Sequence, residues 1–286
     1  MELRLPSTRS TETFWPFELN MGPLTCLIAD GARWRSEDWF PRTQPLANET
    51  ERLLEFLRYR KQLERFLPKL QDDARARDKA LAEVRIAFFL SRNGFEIVKW
   101  EPLTGIGGYQ GEYSVQWNDG PEVMVEVKAP DWQGELNEVE QRGDRKILGK
   151  YVDGEVRSVN SLAQPADVIR RKAVPKLTGT QPNLVVIADD LFISPVTSPC
   201  LGGRIDALLA EPKNNVVGGV MLFRATEERS EIEYSIRFFP NPNASPVCRI
   251  PLDVAEGLAR SSRNDEIKHL SRYRGPSMCK WLKESA

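Results

Sequence analysis

An acid and a lysine stand two residues apart in the otherwise apolar run VMVEVK, residues 123–128. In a β-strand, alternate side chains point to the same face, so Glu126 and Lys128 are predicted to share one face. Removing such groups from water is costly unless they pair with each other or bind a metal. The pattern therefore predicts an ion pair or a metal site on one face of a strand.

A second acid, Glu112, is brought to the same place by a predicted hairpin. The turn sequence Asn118-Asp119-Gly120 between two strand patterns is the strongest hairpin signal in the chain. A three-residue loop, with a type I turn and Gly120 in the left-handed region, sets Glu112 opposite Glu126. A two-residue turn would place Glu112 on the other face, and we favour the three-residue loop.

A third candidate acid is Glu83, on the helix predicted before these strands. At 100° per residue, Glu83 lies beside Ala87 and Leu90, whereas Arg85 and Arg92 lie nearly opposite. We expect the arginines to face solvent and Glu83 to face the sheet. A solvated surface glutamate is the alternative.

Oxygen ligands of this kind suit Mg²⁺ or Mn²⁺. In phosphodiester hydrolysis the metal polarises the phosphate and lowers the pKa of its bound water, and a nearby lysine stabilises developing negative charge. The chain has a single histidine, His269, so a metal site that needs two histidines is excluded within one chain. Two carboxylates and a lysine need no histidine for this reaction.

The surrounding periodicity indicates which elements carry these residues. It predicts helices over 49–66, 72–92, 164–177 and 204–210, strands over 95–100, 112–117, 122–128, 184–188, 216–223 and 232–239, and irregular structure over 1–45. From residue 78 the order is helix, three strands, helix, strand, which is typical of an α/β protein with a mixed sheet.

In this setting, Gly111-Glu112 followed by Glu126-Val127-Lys128 resembles the PD-(D/E)XK nuclease superfamily over about residues 78–190. The resemblance implies a restriction-endonuclease-like core with N- and C-terminal additions. It implies Glu112 and Glu126 as ligands of Mg²⁺ (or Mn²⁺), Lys128 as the catalytic lysine and Glu83 as an auxiliary acid. The expected activity is that of a metal-dependent deoxyribonuclease, a hydrolase.

Two positions depart from the family pattern. The first acid is usually an aspartate after a proline, whereas here Glu112 follows Gly111. The second core helix often carries a glutamine, whereas this chain offers four basic residues there: Arg170, Arg171, Lys172 and Lys176. Two alternatives therefore stay open. One is a catalytically inactive member that binds or scaffolds, and the other is a structural Glu126–Lys128 ion pair in an unrelated α/β protein, with Glu112 far from both.

The sequence also carries expectations about domains and partners. We predict an N-terminal extension over 1–77, a nuclease-like core over 78–240 and a C-terminal extension over 241–286. The net charge of −1 does not by itself indicate a nucleic-acid binder. DNA is nevertheless the expected partner, with a homodimer or a protein partner also compatible. Four lysines are predicted to contact its phosphates: Lys146, Lys150, Lys172 and Lys176.

The location of the protein is also an expectation from sequence. No apolar run approaches the ~20 residues of a membrane span, and an acid at position 2 interrupts the N-terminus. We therefore expect a cytoplasmic protein with no membrane association.

Overall fold

The computed structural model describes residues 19–32, 40–41, 43–102, 110–129, 151–152, 155–156, 166, 168–189, 205–228 and 231–259. The chain divides into two compact units. The first comprises Met1–Leu90 with Ala225–Glu233, and the second comprises Ser91–Arg224 with Tyr234–Ala286. The domain boundaries predicted at residues 77 and 240 stay a prediction.

The main sheet has six strands in the order β1-β2-β3-β6-β7-β8. The strands are β1 Phe95–Trp100, β2 Tyr113–Trp117, β3 Val123–Lys128, β6 Asn183–Asp189, β7 Gly219–Glu228 and β8 Glu231–Pro240. Two short strands, β4 Tyr151–Val152 and β5 Glu155–Val156, pair separately. β1, β2 and β3 pair antiparallel, whereas β3, β6 and β7 pair parallel. The prediction of an α/β protein with a mixed sheet flanked by helices is therefore confirmed.

The core of the second unit explains the apolar composition of its middle strands. One sheet face of β6 and β7 packs against two helical segments, residues 168–176 and 205–209, in a cluster of buried side chains that includes Val185, Ile187, Ile169 and Leu208. Strands covered on both faces are expected to be apolar throughout. The neighbouring β3 is also buried from Val123 to Val127, so Glu126 is a buried acid in an otherwise apolar run.

The helix predicted over 164–177 was expected to end or kink at Pro175, and its described part is irregular. Within its described part, Ile169–Ala173 forms a π-helical turn and Val174–Lys176 forms a 3-10 turn. Pro175 has no N–H to donate and its ring crowds the carbonyl four residues earlier, so a regular α-helix cannot continue through it. The irregular turns carry the chain past this proline and bring it to Lys176.

In its described part, the first unit contains four helices: α1 Pro23–Gly31, α2 Gln44–Tyr59, α3 Leu63–Gln71 and α4 Ala74–Arg92. The last two residues of α4 belong to the second unit. The irregular structure predicted over 1–45 is therefore wrong at α1. Arg85 is also buried, not facing solvent as expected, because it pairs with the buried Glu49 of α2.

The helix predicted over 49–66 is interrupted at Lys61, between α2 and α3. Lys61 adopts a left-handed conformation with φ 57°. The Lys61 N–H donates to the Arg58 carbonyl at 3.0 Å, and the Gln62 N–H donates to the Leu57 carbonyl at 2.8 Å. This is the Schellman pattern, in which the position of Lys61 is usually glycine. A lysine there gives no sequence signal, whereas Pro68 lies inside α3.

Candidate active site

Glu126 and Lys128 lie in the carboxyl-terminal half of β3. Glu126 is fully buried, and the Lys128 Nζ donates to its Oε1. The same Nζ also donates to the Val127 carbonyl at 3.1 Å. β3 pairs in parallel with β6, and ligands of open α/β sheets bind beyond the carboxyl ends of such strands. The acid and the lysine thus meet on one face, as strand alternation predicts.

Glu112 enters the site through the register of the β2–β3 hairpin. Tyr113 pairs with Val125, and Glu112 is the residue before it, at the end of this pairing. The Glu112 N–H donates to the Val125 carbonyl at 3.2 Å, which ties its backbone to β3 next to Glu126. The favoured register is therefore confirmed as far as Tyr113, and the pairing of Glu112 with Glu126 stays a prediction.

The conformation of the hairpin turn differs from the expected one. The Gly120 N–H donates to the Trp117 carbonyl at 3.0 Å. The left-handed residue is Asn118, with φ 50°, and not Gly120. Asparagine tolerates this region better than most side chains, so the chain turns one position earlier and still reaches the same register.

A second lysine, Lys176, reaches Glu126 from the 3-10 turn. Its Nζ lies 3.3 Å from the same Oε1. Burial by itself would lower the pKa of Lys176, but the charge and hydrogen bond of Glu126, with a smaller contribution from the charge of Glu112, raise it above its ordinary value. Lys176 was predicted to contact phosphates, and its contact with the acid could not be inferred from sequence.

The other oxygen of Glu126 determines whether this group could accept a cation. Oε2 is buried and has no hydrogen-bond partner among the described residues. Within the described residues, no group of three or more His, Cys, Asp or Glu side chains is placed to hold a metal ion. Mg²⁺, however, keeps several waters and is commonly held by only one or two carboxylates. Glu126 with this buried oxygen and Glu112, whose charge acts on the same Lys176, fit that donor set.

Gly111 explains one departure from the family pattern. Its N–H donates to the Pro102 carbonyl at 3.0 Å, and a proline could not make this bond. A Cβ at position 111 would lie 2.3 Å from the Sδ of Met124. Glycine therefore allows the backbone before Glu112 to approach β3 closely.

The remaining predicted site residues are Glu83, Lys172, Lys146 and Lys150. Glu83 lies on α4 in the first unit, where its Oε2 is 3.5 Å from Lys69 Nζ, and its auxiliary role stays a prediction. Lys172 is exposed on the π-helical turn. Lys146 and Lys150 lie outside the described residues.

A basic concave surface, lined by Arg170, Arg171, Glu211, Pro212 and Lys213, was missed by sequence reasoning. Arg170 donates to Glu211 Oε1, and Lys213 Nζ lies 3.3 Å from Glu211 Oε2. The hydrogen bond from Arg170 is the largest influence that lowers the pKa of Glu211. The Arg170–Lys172 run is visible in the sequence, but its proximity to Lys213 depends on the fold.

Comparisons with protein-family models, with curated proteins and with solved structures find no match. None of the helices in the described part of the chain combines the length and apolar character of a membrane span.

Proposed function

We propose that the chain is a metal-dependent nuclease with a restriction-endonuclease-like fold that hydrolyses phosphodiester bonds in DNA. The observation that supports this best is the surroundings of Glu126. Its Oε1 accepts from Lys128, its Oε2 is buried without a described partner, and the Glu112 N–H donates to the carbonyl of the neighbouring Val125. Carboxylates and a lysine at the end of a parallel strand are the groups that this hydrolysis requires.

In this proposal Glu112 and Glu126 would hold Mg²⁺ or Mn²⁺, which when bound supplies an activated water and polarises the phosphate. Glu126 contributes the ligand oxygen that is not shared with lysine. Lys128 is held by Glu126 and by the Val127 carbonyl, so its ammonium is positioned before substrate binds. A preorganised donor in a water-poor site stabilises charge that develops in the transition state.

The basic residues near this site support DNA as the substrate. Arg170, Arg171 and Lys213 line one concave surface, and Lys172 is exposed on the same helical turn as the two arginines. Contacts from arginine and lysine to phosphates orient a nucleic acid without reading its sequence. A local basic surface can serve this purpose although the whole chain has a net charge of −1.

One observation favours the alternative of a nuclease-like fold that binds or scaffolds without catalysis. Glu112 and Glu126 supply two carboxylates, and Lys128 and Lys176 supply two ammonium groups that interact with them. These charges balance without a metal ion. A group of this kind can persist as a buried ion network alone.

The test is cleavage of linear duplex, circular duplex and single-stranded DNA with Mg²⁺ or Mn²⁺. Lys128→Ala is expected to cut at least about 100-fold more slowly, because it removes a preorganised donor from the transition state. Lys99→Ala is the matched control, because Lys99 is exposed and pairs with Glu122 at 2.9 Å. Metal-independent cutting, or a fully active Lys128→Ala protein, would contradict the nuclease. A folded wild type that cuts none of these substrates would favour the scaffold.

A further inference from the structure

The two lysines that contact Glu126 Oε1 are held in different ways. Lys128 comes from the same strand, donates also to the Val127 carbonyl, and its side chain is 14% exposed. Lys176 comes from the 3-10 turn, its side chain is 30% exposed, and its Nζ is 3.3 Å from the acid. Lys128 is thus fixed to the strand, whereas Lys176 has access to solvent.

A cation bound at Glu126 Oε2 and Glu112 would act differently on these two lysines. It would place a double positive charge close to both ammonium groups, and like charges repel strongly at such distances in a partly buried site. Lys128 keeps a second acceptor in the Val127 carbonyl. Lys176 can swing its flexible stem towards water. Repulsion should therefore displace Lys176 first.

We propose that Lys176 is a displaceable counter-ion, which neutralises Glu126 before a divalent cation binds and then contacts a phosphate of the nucleic acid. This inference rests on the proposed function and concerns the same site. The buried acid keeps a positive partner in both states. The ammonium that the metal displaces becomes available when a substrate phosphate needs it.

The position of Lys176 in the chain supports a phosphate as its second partner. It follows the π-helical turn that carries Arg170, Arg171 and Lys172. Lys176 is six positions after Arg170. At a helical rise of 1.5–2.0 Å per residue, the two residues are therefore roughly 9–12 Å apart along the segment. At 3.4 Å per nucleotide of one strand, that is roughly three nucleotides. A strand whose phosphate contacts Lys176 could therefore also reach the basic concave surface.

The experiment compares two properties of Lys176→Met that should change in opposite directions. Thermal unfolding during a Mn²⁺ titration measures metal binding without activity. The variant should reach half of its Mn²⁺ stabilisation at a Mn²⁺ concentration about tenfold lower than the wild type needs, because one competing positive charge is removed. In a second experiment, both proteins carry Lys128→Ala to prevent cleavage, and the one that also carries Lys176→Met should bind a labelled DNA duplex more weakly in Mn²⁺. The slope of log affinity against log salt concentration should become less steep by about one.

The controls separate this inference from a structural role and from the proposed function. Lys176→Arg should restore DNA affinity, and Lys99→Met should change neither property. If Lys176→Met weakens both Mn²⁺ and DNA binding, or leaves the Mn²⁺ midpoint unchanged, the displaceable counter-ion is wrong while a metal-binding wild type still supports the nuclease. If Mn²⁺ does not stabilise the wild type at all, both proposals are overturned.

Discussion

Among the described residues, Glu49 of the first unit and Glu126 of the second are both buried with basic partners, but the two acids are satisfied differently. In the first unit, Glu49 accepts two bonds from Arg85: Nε to Oε1 at 2.9 Å and Nη2 to Oε2 at 2.7 Å. In the second unit, the two lysines meet at one oxygen of Glu126 and leave Oε2 without a described partner. A guanidinium fork matches both oxygens of a carboxylate, whereas an ammonium is a point charge.

The difference distinguishes a structural acid from one that keeps the capacity to bind a ligand. Glu49 uses both oxygens within its unit, and its pair with Arg85 joins residues 36 positions apart. Glu126 retains a buried acceptor whose desolvation is not offset by a described donor. Such a group costs stability unless something else binds it. We therefore expect mutations at the two acids to affect different measurements.

The largest effect on stability is expected from Arg85→Met. It leaves Glu49 buried without its charged partner, so the free energy of unfolding should fall by about 3 to 5 kcal/mol. Urea unfolding at neutral pH measures this change. The comparison variant is Lys99→Met, whose pair with Glu122 is exposed and should contribute less than about 1 kcal/mol. Equal losses in the two variants would show that burial does not distinguish the pairs.

A smaller free-energy change is expected from Glu126→Gln, which keeps the shape of the side chain and removes its charge. DNA cleavage should fall by about 100- to 1000-fold, and Mn²⁺ should no longer stabilise the protein. The free energy of unfolding should change by less than about 2 kcal/mol, because Lys176 can extend towards solvent and Lys128 keeps the Val127 carbonyl as an acceptor. A loss of stability as large as that of Arg85→Met would mean that Glu126 is mainly structural.

A stability effect of similar size, but only a partial loss of Mn²⁺ stabilisation, is expected where the backbone positions the second acid. Gly111→Ala should cost about 1 to 3 kcal/mol, because its Cβ would meet the buried Met124 Sδ. It should also weaken Mn²⁺ stabilisation, since Glu112 must shift. Gly179→Ala is the matched control, because no atom lies within 4 Å of its added Cβ. If both alanines behave alike in urea and Mn²⁺ titrations, the close approach at Gly111 does not position Glu112.

Sequence patterns predicted local geometry better than long-range partners. The period of a strand placed Glu126 and Lys128 on one face, and the hairpin register brought Glu112 to the end of the pairing, beside Val125. The turn itself was predicted with the wrong left-handed residue. Register depends on the number of residues between the strands, and more than one turn conformation satisfies the same number.

Helical periodicity was less informative where the helices pack or end. It predicted the extent of α4, but it placed Arg85 towards solvent because a wheel cannot show a distant glutamate. It predicted that Pro175 would end or kink the helix over 164–177, but not that a π turn and a 3-10 turn would form there. It also gave no sign that Lys61 would end α2.

The sequence by itself determined the α/β order of elements, the shared face of Glu126 and Lys128, and the register of the hairpin that follows Glu112. These follow from side-chain periods and short connections, which act over a few residues. Only the tertiary structure decided that Lys176 reaches Glu126, that Arg85 pairs with Glu49 and that Glu126 Oε2 is left buried. Contacts between residues distant in sequence depend on how complete elements pack, because packing determines which groups leave water together.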